Sequence, residues 1–493
     1  MSTYGTIGTE LKALNSTSWI ATAYFVTLSA FQPLYGKISD IFGRKPCLLF
    51  AYLVFGIGST LCGFARTIEE LIAARAIAGL GGAGMNTITS ILMSDVVTLR
   101  ERGKWQGYLN IIYAFGAGAG APIGGLLADS IGWRWAFIVQ GPICLLAIAA
   151  VAIALHMPRV EHSHWLEKLR KIDFLGALVL LVAVTGVLVG LDHGSNVSWN
   201  STYTARPSNF VHVTYLMTQR LGKITTIGLC TSPLFVVFLL IERYVASHPI
   251  APFNIIFNRS LFACYLCNFF SFGAWLSALF FIPLYWQVIA DMSAAKAGLL
   301  LIPCILSGVS GSLFGGTYMS KTGKYYWITV IAYSNVFVGL SVTLLFAGII
   351  KEMIPVMVAG TVLTAFSHGI GVTTTLIGLI ANAGHKDQAV VTACSYLFRS
   401  LGSVVGISMC ATAFNQTLRK TLEAALAGDE DAKEIAERVR SSLAYFRSLE
   451  PGLKEVVREC YSQSTRAALT VSVCITVGSA VLAWFIREKR LGK

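Results

Sequence analysis

Gly36-Lys37-Ile38-Ser39-Asp40-Ile41-Phe42-Gly43-Arg44-Lys45 is a short polar stretch between two apolar runs, residues 19–34 and 47–64. Glycines near both its ends permit a tight turn. Asp40 suits a basic neighbour, or a helix N-terminus whose dipole favours negative charge. Arg44 and Lys45 suit acidic partners and lipid phosphates. Such an arrangement turns a chain round at a membrane surface, because about 20 apolar residues in a helix cross about 30 Å of hydrocarbon.

The pattern continues outward in both directions. Of the 493 residues, 55% are hydrophobic and 13% charged, and the mean hydropathy is +0.66. A soluble domain needs far more charged surface. Thirteen spans are expected, at 19–34, 47–64, 71–93, 108–127, 135–156, 174–191, 224–241, 261–288, 297–318, 327–349, 354–381, 389–414 and 467–486. The run at 19–34 is the weakest. Each must be helical, since backbone groups in lipid have to bond internally. The fold class expected is therefore an all-α polytopic membrane protein. Residues 1–18 are polar and carry no apolar signal region, so insertion relies on the first span.

The net charge of +13 does not describe a nucleic-acid surface. Basic residues such as Lys37, Arg44, Lys45, Arg102, Lys104, Lys168, Arg170, Lys171, Lys321 and Lys324 sit in short loops on one side of the spans, not on one continuous face. That distribution places those loops in the cytosol. The sequons at Asn15, Asn196, Asn200 and Asn415 then fall on the opposite side, and the one at Asn258 does not. Asn196 and Asn200 are the expected glycosylation positions. Eleven cysteines are scattered through apolar runs, and the lone Cys264/Cys267 pair inside a span reads as helix packing rather than as a metal site. No metal or cofactor is expected. No nucleotide loop, metal cluster or nucleophile–base set suggests an enzyme.

An echo of the opening stretch lies 280 residues on. Gly316, Ser320, Gly323 and Lys324 stand at the offsets of Gly36, Asp40, Gly43 and Arg44. Repeated halves around a midplane site are how many transporters alternate access.

The opening stretch resembles the signature loop of the major facilitator superfamily, in its fourteen-span drug:proton antiporter branch. Arg75-Ala76-Ile77-Ala78-Gly79 is similar to that family's mid-membrane Arg motif, which the resemblance links to proton transfer. Snorkelling to an interface is the alternative for Arg75, which lies in the outer part of its span. Gly116, Gly118, Gly120, Ala121, Pro122, Gly124 and Gly125 resemble the antiporter motif, with Pro122 one residue late and Ala121 in the usual proline position. Packing alone also accounts for glycines at such spacing. Trp133-Arg134-Trp135 reads as an interfacial anchor. Within the branch, Leu14-Asn15-Ser16-Thr17-Ser18-Trp19 and Arg100-Glu101-Arg102-Gly103-Lys104-Trp105-Gln106-Gly107-Tyr108 are similar to fungal vacuolar basic amino acid transporters.

The resemblance implies two six-helix halves joined by two linker spans: an N-terminal half at 1–157, a linker region at 158–260, and a C-terminal half at 261–493 holding an amphipathic non-cytosolic segment at 415–464. That segment is expected as a surface helix or a lumenal cap. The stretch 202–222 reads as neither span nor clear loop, and a retained intron accounts for it as well as a real insertion does. The family's first span, which carries an acidic residue, has no counterpart here, so the first helix is expected to be missing and the termini to lie on opposite sides. The implied function is proton-coupled antiport of Lys, Arg and His into the vacuole, by a monomer whose partners are these amino acids, protons and the bilayer. Gly36, Asp40, Gly43, Arg44 and Lys45 would form the gating loop and Arg75 the proton-coupling group. Asn86, Asn110, Tyr113, Gln140, Asn268 and His368 are the candidate cavity residues, with Trp275, Gln287 and Arg399 as further polar positions. A drug or siderophore exporter of the plasma membrane shares these motifs. A nutrient sensor or truncated pseudo-transporter without flux is the reading of another class.

Overall fold

The computed structural model of the chain describes residues 7, 10–11, 18–99, 101–157, 173–196, 234, 236–244, 253–292, 294–384, 387–426 and 450–489. The described residues form helices α1 (Ser18–Phe42), α2 (Arg44–Phe64), α3 (Ile68–Val96), α4 (Arg102–Ser130), α5 (Trp133–Ile138), α6 (Gln140–Ala154), α7 (Phe174–Asn196), α8 (Phe253–Ile256), α9 (Arg259–Val288), α10 (Ala294–Leu299), α11 (Ile302–Thr322), α12 (Tyr326–Leu345), α13 (Ile354–Asn382), α14 (Gln388–Ala425) and α15 (Pro451–Ala483). Among them, nine spans are long and apolar enough to cross a membrane, one made of α5 and α6 together and another of α10 and α11. Every expected span coincides with a described helix except the one at 224–241, of which only 234 and 236–241 are described. The stretch 202–222 and Asn200 lie outside the described residues, and Asn196 ends α7.

Local chemistry sets the helix ends. Thr67 and Glu70 form a reciprocal capping box at the start of α3, which satisfies otherwise orphaned backbone N–H groups. Gly43 and Gly323, the repeat-related pair, both take positive φ (95° and 67°), a region costly for residues with a Cβ. Pro355 and Pro451 sit in first turns, where a missing N–H costs nothing.

The interior differs from a soluble core. Large apolar side chains such as Phe64, Leu146 and Ile153 face outward, as lipid contact allows, while serines, threonines and glycines fill the seams. Lipid tails are as apolar as leucine, so close backbone approach and hydroxyl bonding hold such helices together. Thr343, Thr361, Thr364 and Thr373 return their hydroxyls to carbonyls one turn back, which keeps them satisfied while buried.

The helices form two bundles. α3 packs on α1 and α2 in the first as α13 packs on α11 and α12 in the second. The bundles meet along two main seams, α1 on α14 and α4 on α11. The 280-residue repeat carries α1 onto α11. A second offset, 286 residues, carries Gly103, Gly107, Gly116 and Gly120 of α4 onto Ala389, Ala393, Gly402 and Gly406 of α14. The two seams are therefore images of each other. α7 and Phe238 pack over α1 and α14, so a linker span borders one seam.

On the side away from the basic loops, α14 continues to Ala425 and α15 starts at Pro451, well past the expected span limits at 414 and 467. Leu418, Leu422 and Leu426 recur every fourth residue and are buried with Val457, Cys460 and Tyr461. The described parts of the 415–464 segment are thus extensions of two spans packed together, not a separate helix lying on the surface. Their apolar stripe has a partner within the chain.

Candidate functional site

Arg44 organises the signature loop. Its guanidinium reaches Asp40 at 2.6 Å and Asp95 at 2.8 Å, and donates to Ser39 Oγ at 2.7 Å. Asp95 closes α3, so Arg44 clamps the α1–α2 turn onto the end of the neighbouring hairpin. Lys45 Nζ donates to the Ala152 carbonyl at 2.7 Å, which ties the same turn to α6. A charge shared between two carboxylates in a half-buried setting exceeds an ordinary surface pair in strength. Asp95 carried no signal in the sequence; only the fold brings it to the loop.

The same side of the molecule is where the bundles close. A Cβ added at Gly36 would lie 2.7 Å from Ala393 Cβ and 3.3 Å from the Ala389 carbonyl, both on α14. At the image seam, a Cβ on Gly103 would lie 2.8 Å from Gly316 Cα. Gly36 and Gly316, matched by the sequence repeat, thus do one job twice: each lets a backbone from the other half approach closely. Two cross-seam hydrogen bonds follow towards the midplane. Ser400 Oγ donates to Gln32 Oε1 at 3.2 Å, and Asn110 Nδ2 donates to Ser312 Oγ at 2.7 Å, which is in turn 2.6 Å from Thr373 Oγ1. Gln32, Ser312 and Ser400 were not legible as site residues; small hydroxyls and amides inside spans are too common to single out.

Beyond that closure lies a layer of polar and aromatic groups. Counting at 1.5 Å per residue, Asn268, Tyr113 and Arg399 lie about 14–17 Å from the basic-side ends of α9, α4 and α14, near the middle of a bilayer. Asn268 is fully buried: Thr375 Oγ1 donates to its Oδ1 at 3.1 Å, and its Nδ2 donates to Ser395 at 3.2 Å. His368 Nδ1 and Ser271 Oγ are 2.7 Å apart, and the ring stacks on Trp275 with Phe272 at its edge. Arg399 lies over the Phe272 and Tyr396 rings at 5.3 and 5.1 Å. On the other half, Tyr113 is 75% exposed and lies within electrostatic reach of Tyr24 and Tyr396.

The remaining expected positions fall elsewhere. Asn86 is exposed on α3. Gln140 accepts from Ser59 at 3.0 Å and joins α6 to α2, a packing bond within one half. Gln287 Nε2 donates to its own helix at the Pro283 carbonyl, 3.2 Å away. Cys264 and Cys267 are fully buried, and the Cys267 thiol reaches the Ser479 carbonyl of α15 at 3.5 Å. Arg75 donates to the Ile20 carbonyl at 3.1 Å, with its guanidinium 4.4 Å from the Tyr24 ring. It therefore pins the start of α1 to the outer third of α3. Gly116, Gly120 and Gly124 line one face of α4, and an added Cβ would meet nothing within 4 Å among the described residues at any of them. Of the side chains of Pro122 and Gly125 nothing is described.

Two image bundles, closed at the basic side through repeated glycines, match one known architecture. The sequence profile of the Major Facilitator Superfamily covers residues 1–407. The chain belongs to the major facilitator superfamily. It is similar to a vacuolar membrane amino acid uptake transporter of Schizosaccharomyces pombe, with 36% identity over 99% of this chain and 81% of the relative. A multidrug resistance protein of the same yeast is 35% identical over 94% of this chain and 83% of its own length. Vacuolar basic amino acid transporter 1 of Saccharomyces cerevisiae is 33% identical over 84% of this chain and 74% of its own. Among solved structures, a proton:xylose symporter of the superfamily superposes with a TM-score of 0.59 over 99% of this chain and 92% of that one, at 13% identity. That likeness is one of fold. The chain is thus a multi-pass membrane transporter of the major facilitator class.

Proposed function

We propose that this transporter exchanges protons for basic amino acids across the vacuolar membrane, loading Lys, Arg and His from the cytosol. The observation that carries secondary transport is the pair of image seams, α1 on α14 and α4 on α11, each closed by a repeated glycine. Two equivalent seams on one side of a midplane polar layer suit a rocking exchange of access, in which substrate and proton bias an equilibrium between inward and outward forms. Substrate class and compartment rest on the amino acid and vacuolar relatives. In this reading the Asp40–Arg44–Asp95 cluster stabilises the form closed to the cytosol. Arg75 is the group assigned to proton coupling, and His368 to the cavity. His368 sits in the middle of α13, buried against Ser271 and stacked on Trp275. Asn110, Tyr113 and Asn268 contribute the polar lining.

The test is uptake of labelled lysine, arginine and histidine into acid-inside proteoliposomes carrying the chain. Uptake that a protonophore abolishes is expected. Absence of uptake by correctly inserted protein would sink the basic amino acid reading. The multidrug resistance relative favours a second reading, efflux of a larger organic solute, which the same vesicles would reveal as uptake of a cationic dye in place of amino acids.

A further inference from the structure

Arg399 is the one arginine described in the middle of the bilayer, and among the described residues it has no counter-ion. It is 6% exposed. Its Nη2 donates to the Val372 carbonyl at 3.3 Å, and its Nε is buried without a hydrogen-bond partner. Among the described residues no carboxylate pairs with it. A buried, unpaired charge-bearing donor is costly, and in a membrane span such a group is a functional site by default. The two aromatic faces beside it, Phe272 and Tyr396, offset part of that cost through the ring quadrupole but leave the donor unfilled.

Position adds to chemistry. Ser400, the next residue, forms the cross-seam bond with Gln32, so Arg399 stands at the level where the closed part of the bundle ends. In the image half the same place, 286 residues earlier, holds Tyr113, an accessible phenol. The midplane layer therefore has a cation on one half and, at the matching place of the other, an accessible phenol.

We propose that Arg399 is the carboxylate-binding group of the transport site. It receives the α-carboxylate of the substrate, filling the vacant Nε, while the accessible Tyr113 ring takes the substrate's other end. A fork of N–H donors suits a planar carboxylate, and an aromatic face suits an ammonium or guanidinium group. The same cation repels an amine presented carboxylate-last, so it fixes which way round the solute enters. This rests on the amino acid reading above.

The experiment compares lysine with lysinamide, which keeps both amines and lacks the carboxylate. Each competes with labelled lysine in proteoliposomes, and each is titrated by thermal shift of the purified protein, which needs no transport. With unsubstituted protein, lysine should act at concentrations roughly ten- to a hundredfold lower than lysinamide. Arg399→Gln should erase that preference, leaving lysinamide binding near its original level, and Arg399→Lys should keep part of it. Equal action of the two ligands on the unsubstituted protein would overturn the assignment without needing any variant. So would an equal loss of both in Arg399→Gln, the outcome of a purely structural arginine. If neither amino compound shifts or enters correctly inserted protein, the amino acid reading fails and this assignment falls with it, a pattern distinct from the other two.

Discussion

α4 and α14 are matching helices in the two halves, yet among the described residues one has a neighbour where the other has none. Their basic-side ends are used alike. Gly103 lies against Gly316 and Gly107 against Leu313, while Ala389 and Ala393 lie against Gly36. About two and a half to three and a half turns further along, they part. On α14, Gly402 and Gly406 receive α9: a Cβ on Gly402 would strike the Phe269 carbonyl, and one on Gly273 would lie 2.7 Å from the Gly402 carbonyl. On α4, Gly116 and Gly120 have the same spacing and face open space among the described residues. Glycines four apart therefore specify a helix-sized groove. The groove on α4 explains why Ile112, Tyr113 and Phe115 are so exposed. What the sequence shows as an antiporter motif is, on α14, a packing surface.

The comparison breaks most easily on the filled side. Gly402→Leu should force α9 and α14 apart and cost about 3 kcal/mol, the upper range for overpacking. Thermal unfolding of the purified protein checks it; an unchanged midpoint would mean that the seam is looser than it looks. Next come the gate glycines. Gly36→Val and Gly316→Val should each penalise the closed form by about 2 kcal/mol, or roughly thirtyfold in its population. A cysteine placed at Ser400 should then label faster from the cytosolic side. If only one of the pair responds, the two seams are not functional images.

A smaller effect tests the outer end of α4. There Glu10 bonds Arg134 and accepts from Trp133 Nε1 at 2.6 Å, and the Arg134 guanidinium holds its carboxyl below the usual carboxylate range. A lowered native pKa gives stability that is present above the unfolded-state value and lost as pH falls through the native one. The deficit of Glu10→Gln should therefore be full near about pH 6 and shrink towards about pH 3, a trend read from unfolding midpoints. The smallest effect belongs to Gly116→Leu, expected within about 0.5 kcal/mol of the unsubstituted protein because no described neighbour is met. A large loss there would mean that the groove is occupied in the working protein.

Span positions were legible because hydropathy and length act residue by residue. The gate was half legible. Gly36 and Gly316 stood out through their repeat, but the 286-residue match between α4 and α14 was hidden by Ala389 and Ala393 replacing glycines. Small residues interchange freely where only closeness matters. Asp95 and Gln32 were invisible, since each acts through a residue over 50 or 300 positions away. Gln140 was misleading for a related reason: an amide in a span signals a hydrogen bond without saying whether a cavity or another helix supplies it. The 415–464 segment reads as amphipathic, yet its stripe does not reveal that the described ends of α14 and α15 pack against each other.

That paired extension has a mechanical meaning. α14 runs unbroken from the gate contact at Ala389, through Arg399, to Ala425. From Arg399 to Ala425 is 26 residues, about 39 Å of rigid rod. A tilt of about 5° at the midplane would swing the far tip by more than about 3 Å, given that length. The helix is thus a pointer that magnifies motion at the centre of the membrane into displacement in the aqueous space beyond it, where a spectroscopic label on Glu423 could follow the transport cycle without touching the solute's path.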